Sequence, residues 1–137
     1  MKIMIDTNVI ISAVLNPSGR ASEALVKALE KPFEPVVCNY ILDELHKKFI
    51  EKFPHKIMEL EAFLYHMLRV VLVVPTPELK FSSEDKIRDI KDRPILRAAL
   101  NATVDYLLTG DKDFLDSDVK FPRIISVQDF ISLEAMV

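Results

Sequence analysis

The chain opens MKIMIDTNVIIS (residues 1–12), and the place of Asp6 in that stretch decides how the rest is read. Residues 2–5 (KIMI) make a short apolar run of strand type, while Val9, Ile10, Ala13 and Val14 recur at helical spacing. Thr7 or Asn8 can cap that helix. A carboxylate therefore stands at the joint between a buried strand and a buried helix. The same alternation continues along the chain. Further strands are expected at 35–38 (PVVC), 70–74 (VVLVV), 104–108 (VDYLL) and 123–126 (RIIS). Helices are expected at 21–31, after an Asn39 cap to about residue 53, at 55–70, at 94–103 and at 127–136. The polar stretch 81–93 reads as a loop or short helix. Nearly all-apolar strands separated by helices predict a parallel sheet covered on both faces. The fold class is thus α/β: a three-layer α/β/α sandwich with a central parallel sheet of about five strands. With no internal repeat and no long linker, residues 1–137 are expected to form one domain.

Composition narrows the function. The chain is 50% hydrophobic and 28% charged, as in an ordinary globule, with a net charge of −3 that neither advertises nor excludes a nucleic-acid partner. Two glycines, Gly19 and Gly110, cannot build a glycine-rich phosphate loop. Cys38 is the single cysteine, so no internal disulfide can form; it reads as a small buried side chain in a reducing compartment. No signal-peptide pattern opens the chain, and VVLVV is too short to span a bilayer. A cytoplasmic protein without a membrane partner is expected.

Open parallel sheets carry their functional groups at the carboxyl ends of the strands. Asp6 ends the first strand, and Asp111 and Asp113 follow VDYLL on the same edge. Asp92 precedes Ile95 and Leu96 by three and four residues and shares their inward face. On the helix after Asn39, Asp43 and Glu44 lie on opposite sides of the apolar stripe at roughly 100° per residue, and periodicity does not choose between them. Each acid alone has a plain explanation: Asp6 as a cap, Asp92 as an acid favoured by a helix dipole, Asp111 as a turn or cap residue, Asp43 or Glu44 as a solvated charge. Together they repel one another, and a cation is the usual resolution. All-oxygen ligands favour Mg2+ or Mn2+ over zinc, and such a site suits attack of water on a phosphodiester.

IDTNVIIS (5–12), Glu44 within NYILDELHKKF, Asp92 within DRPILRAAL and DYLLTGDKDF (105–114) together resemble the PIN-domain family, and within it the VapC-type toxins of toxin–antitoxin pairs. The resemblance spans nearly the whole chain, with the segments in the family's order. It implies a metal-dependent endoribonuclease that leaves 5′-phosphate and 3′-hydroxyl ends. It makes Asp6, Glu44, Asp92 and Asp111 the catalytic, metal-binding acids, and so selects Glu44 over Asp43. Asn8 and Thr109 would be supporting polar groups, with Asp113 a fifth metal ligand and Asp89 a further acid. A small antitoxin protein would be the partner, its tail crossing the acidic groove.

Pro94 pushes the preceding residue out of helical geometry, so Arg93 is expected to be the cap and Asp92 to lie just outside the helix. An RNA substrate needs cations at the approach. Arg93, Arg97 and Lys112 adjoin the proposed ligands and are the candidates for RNA binding; Arg20, Lys47, Lys48 and Lys52 flank the acids but serve solubility equally well. Apolar helices at 21–31 and 55–69 could supply a homodimer surface, or simply cover the core. Two rival readings remain. One is a PIN-like module that binds RNA or protein without cutting. The other is a phosphatase or phospho-receiver, disfavoured because position 8 is Asn and the second and third strands do not end on an aspartate.

Overall fold

The computed structural model describes residues 1–133. Five strands, β1 (Lys2–Ile5), β2 (Glu34–Cys38), β3 (Leu72–Val74), β4 (Tyr106–Leu108) and β5 (Arg123–Ile125), form one parallel sheet in the order β3-β2-β1-β4-β5. Among the described residues, seven helices flank it as the outer layers: α1 (Thr7–Leu15), α2 (Arg20–Ala28), α3 (Asn39–Lys52), α4 (Ile57–Met67), α5 (Arg93–Asn101), α6 (Lys112–Leu115) and α7 (Val127–Ser132). This is the three-layer α/β/α arrangement that the alternating apolar runs predict.

The apolar strands are apolar because both faces are covered. Ile3, Met4, Ile5, Val36, Val37, Leu107 and Leu108 are all fully buried. VVLVV departs from that expectation. Only Leu72–Val74 pair, and Leu72 and Val73 stay 53% and 44% exposed because β3 is the outermost strand. Central β1 takes β2 on one side and β4 on the other, so the chain's direction of growth across the sheet reverses there. Crevices at the carboxyl edge beside such a reversal are where ligands are held in open α/β sheets.

Several boundaries differ from the sequence reading, each for a local reason. The cap of α1 is Asp6, whose Oδ1 accepts from the Thr7 amide; Thr7 and Asn8 are already helical. Cys38 occupies the cap position of α3, and the Asn39 carboxamide oxygen instead accepts from the Thr76 amide and hydroxyl, tying β2's end to the chain after β3. Arg93 is helical (φ −59°, ψ −39°) despite Pro94, so Asp92, not Arg93, takes the cap position of α5. Residues 81–93 hold two 3-10 turns, Ser82–Lys86 and Ile90–Asp92. The final helix runs Val127–Ser132; residues 134–136 of the expected span lie outside the described residues.

Candidate metal centre

Asp6 leaves the sheet at its central strand, buried to 2% exposure, with the Leu108 carbonyl accepting its amide. Its carboxylate is held on both sides. Oδ1 takes the Thr7 amide at 2.7 Å; Oδ2 takes the Thr109 hydroxyl at 2.7 Å and the Asn8 amide at 3.3 Å. Thr109 is itself anchored, since its hydroxyl oxygen accepts the Asp111 amide at 3.0 Å, and Asn8 Oδ1 accepts the Gly110 amide at 3.0 Å. Asn8 and Thr109 thus lock the ends of β1 and β4 together around one carboxylate. Burial pushes the Asp6 carboxyl up to about 6; the Thr109 and Thr7 hydrogen bonds oppose the rise, and the charges of Glu44 and Asp111 add to it. Capping a helix and furnishing a site are not alternatives for this residue: one oxygen does each.

The structure separates Asp43 from Glu44. Asp43 is exposed, whereas Glu44 keeps 15% side-chain exposure and accepts the Thr7 hydroxyl at Oε1. Thr7, buried at the first position of α1, is a residue that sequence reasoning read only as a cap. Its sole signal was the place beside a strand-end acid.

Asp92, at 9% exposure, approaches from the start of α5. Its side chain makes no capping bond, and its Oδ2 is buried without a hydrogen-bond partner. Burial, together with the neighbouring carboxylates of Asp111, Asp6 and Asp89, pushes its carboxyl up to about 8. Asp111 caps α6, its Oδ1 accepting the Asp113 amide at 2.9 Å. Carboxylate oxygens of Asp89, Asp92 and Asp113 lie within 4.8 Å of one another. Asp113 is also engaged by Arg88, whose Nε and Nη2 both lie 2.9 Å from its Oδ1, so a guanidinium already balances part of its charge. A buried, unpartnered carboxylate oxygen amid mutually repelling acids and an all-oxygen donor set is what a hard divalent cation fits.

The predicted cations divide. Arg97 does not belong to the rim: its fork sits on Glu84 with Nε–Oε2 and Nη2–Oε1 contacts of 3.0 Å, Nη1 donates to the Pro77 carbonyl, and the pair is almost wholly buried. Arg93 donates Nε to the Ile87 carbonyl and stays partly exposed. Lys112 is exposed beside Asp111. Arg20 bonds Gln128 at 2.5 Å. Lys47, Lys48 and Lys52 line a groove with Glu44, joined by Tyr40 and Lys91, which sequence reasoning did not single out. The Tyr40 hydroxyl donates to the Lys91 carbonyl at 2.7 Å.

Comparisons with known proteins agree with this architecture. The family model described as PIN domain matches residues 2–113. An uncharacterized protein of Methanocaldococcus jannaschii is 31% identical over 122 residues, covering 84% of this chain and 74% of its own length. A crystal structure of VapBC2 from Rickettsia felis bound to a DNA fragment from their promoter contains a chain that superimposes with a TM-score of 0.69 at 15% identity, covering 92% of this chain and 98% of that one.

Proposed function

This chain belongs to the PIN-domain family, and on that premise we propose that it is a divalent-metal-dependent endoribonuclease acting as the toxin of a toxin–antitoxin pair. The observation that carries the proposal is the buried, unpartnered Oδ2 of Asp92 beside Asp6 and Asp111. Asp6, Glu44, Asp92 and Asp111 would hold Mg2+ or Mn2+, with Asp113 at the margin because Arg88 competes for it. The bound cation would neutralise charge on the phosphate and acidify the attacking water. The chain's own residues supply aim. Asn8, Thr7 and Thr109 fix the direction of Asp6, and Thr7 also holds Glu44, so these carboxylates would meet a cation already oriented. Arg93 and Lys112 would meet RNA phosphates at the rim, where contacts orient a strand without reading its bases.

The fold-level likeness to a chain of a VapBC complex supports a small antitoxin protein whose tail crosses the acids. A buried free Cys38 and an RNA substrate favour the cytoplasm; no helix of the described residues is long and apolar enough to cross a membrane. The test is incubation of purified protein with RNA and Mn2+, with and without EDTA, beside Asp6→Asn. Cleavage confined to the wild-type protein with metal is expected, and cleavage that survives chelation or the substitution overturns the proposal. Expressed alone in a bacterial host, the wild-type chain should arrest growth and Asp6→Asn should not.

A further inference from the structure

The acids of the site fall into two sets that share Asp92. Asp6 and Asp111 neighbour it from the chain just after β1 and β4. Asp89 and Asp113 bring carboxylate oxygens within 4.8 Å of its own from the other direction along the chain and from α6. Among the described residues, Asp6, Asp92 and Asp111 have no lysine or arginine in ion-pair contact. The outer set already has one: Nε and Nη2 of Arg88 both lie 2.9 Å from Asp113 Oδ1. That contact is built between two fixed ends. Ile87, just before Arg88, is fully buried and its carbonyl accepts Arg93 Nε at 3.0 Å, while Asp89, just after, accepts the Lys91 amide at 3.0 Å. Asp113 opens α6 with its own amide on Asp111 Oδ1. The remaining N–H groups of Arg88 have no partner among the described residues, and the side chain is 85% exposed.

Paired-metal hydrolases place two ions about 3.5–4 Å apart, one on the attacking oxygen and one on the leaving oxygen. The outer set is where a second ion would go, and Arg88 stands in its way. An ion on Asp113 would lie about 2.0–2.6 Å from a carboxylate that already carries a guanidinium, and like charges at that range repel. Asp113 can serve one or the other. A guanidinium differs from an ammonium in being a planar fork: it can keep one edge on a carboxylate and offer its other N–H groups to a phosphate. The geometry points to Arg88 as the second cation of the site. The chain holds one divalent ion among Asp6, Glu44, Asp92 and Asp111, and the guanidinium posted on Asp113 takes the phosphate oxygen that a second ion would otherwise take. Asp113 is then the anchor of a side-chain cation and not a metal ligand. The inference rests on the nuclease reading and deepens it.

Bound Mn2+ is counted by electron paramagnetic resonance on the full chain without RNA, and cleavage is measured separately across a Mn2+ series. The wild-type chain should take up one Mn2+, and Arg88→Ala should admit a second at least about tenfold more tightly than the wild-type chain does. Adding Asp113→Asn to Arg88→Ala should return the count to one. In cleavage, Arg88→Ala should lower kcat by about tenfold or more at Mn2+ that fills a single site, and higher Mn2+ should recover part of the loss. Arg88→Lys, which keeps a cation, should hold the count at one and recover part of the rate. Lys120→Ala, outside both sets of acids, should match the wild-type chain in count and rate. Two ions of similar affinity in the wild-type chain would overturn the assignment. So would a count and a rate that Arg88→Ala leaves unchanged while the wild-type chain cuts with Mn2+, and the nuclease reading would then stand. The expected counts with no cutting by the wild-type chain would overturn the nuclease reading and leave Arg88 as the site's second cation.

Discussion

Asp92 is the residue under greatest conflict. It is buried, ringed by acids, and supplied with no donor for Oδ2. Without metal, folding must either protonate it or tolerate an uncompensated charge. Its carboxyl and that of Asp6 titrate near 8 and near 6 in the folded chain, both above the unfolded range near 4. The folded state therefore binds these protons more tightly, so the stability they contribute is complete below about pH 4 and is lost as pH rises through about 6 and then about 8. Thermal melts in EDTA should show a midpoint that falls across that window, and Mn2+ should flatten the decline. Asp92→Asn removes the charge and keeps the shape. Its midpoint in EDTA near pH 8 should rise by about 3 °C or more, while the Mn2+-induced shift disappears. A lower midpoint in EDTA, or an intact Mn2+ shift, would contradict this account of the residue.

Among the elements, the connection from β3 to α5 shows best where the sequence ran out. The inner strands were legible because composition reports burial, while edge strand β3 was not bounded by it: KIMI matches β1 residue for residue, but only Leu72–Val74 of VVLVV pair. What sequence cannot express is which neighbour a charge will find. Arg97 looked like a rim cation from its closeness to Asp92, yet it reaches back to Glu84, which lies in the polar stretch read as a loop or short helix. Burial alone would raise the Glu84 carboxyl; Arg97 and the Phe81 amide hold it below the usual range instead. The pair pins the 3-10 turn Ser82–Lys86 onto α5, upstream of the segment bearing Arg88, Asp89 and Lys91. Arg97→Ala should strand a buried carboxylate and cost about 3–5 kcal/mol in urea unfolding, whereas Lys112→Ala should cost little. An unchanged unfolding midpoint for Arg97→Ala would show that the pair does not anchor the connection. Among the candidate site residues, strand order and resemblance put forward the acids. They did not put forward Thr7 and Tyr40, whose significance lies in contacts to residues dozens of positions away, Glu44 for one and Lys91 for the other.

At the scale of the whole molecule, the topology explains why acids so far apart in sequence lie close enough to repel one another. With β1 at the centre and the chain growing outward on both sides, Asp6, Thr109 and Asp111 come from adjacent strand ends, and α3 and α5 bring Glu44 and Asp92 to the same edge. Apolar side chains stay exposed on α2 and α4, with Val26, Met58 and Tyr65 54%, 83% and 68% exposed, as they do elsewhere at Leu79 and Phe121. We propose a homodimer through these helices, the rival being that they only cover the core. Light scattering should give twice the 15.7 kDa chain mass at high concentration, and a monomer throughout would count against it.

The central claim is that carboxylates from distant parts of the chain jointly hold a divalent cation. A crystal soaked with Mn2+ and measured at a wavelength where manganese scatters anomalously tests it most directly. The account predicts an anomalous peak within coordination distance, about 2.0–2.6 Å, of oxygens from Asp6, Asp92 and Asp111, with Glu44 in reach directly or through water. A map with no peak among those side chains, or with manganese held only elsewhere on the surface, would contradict it.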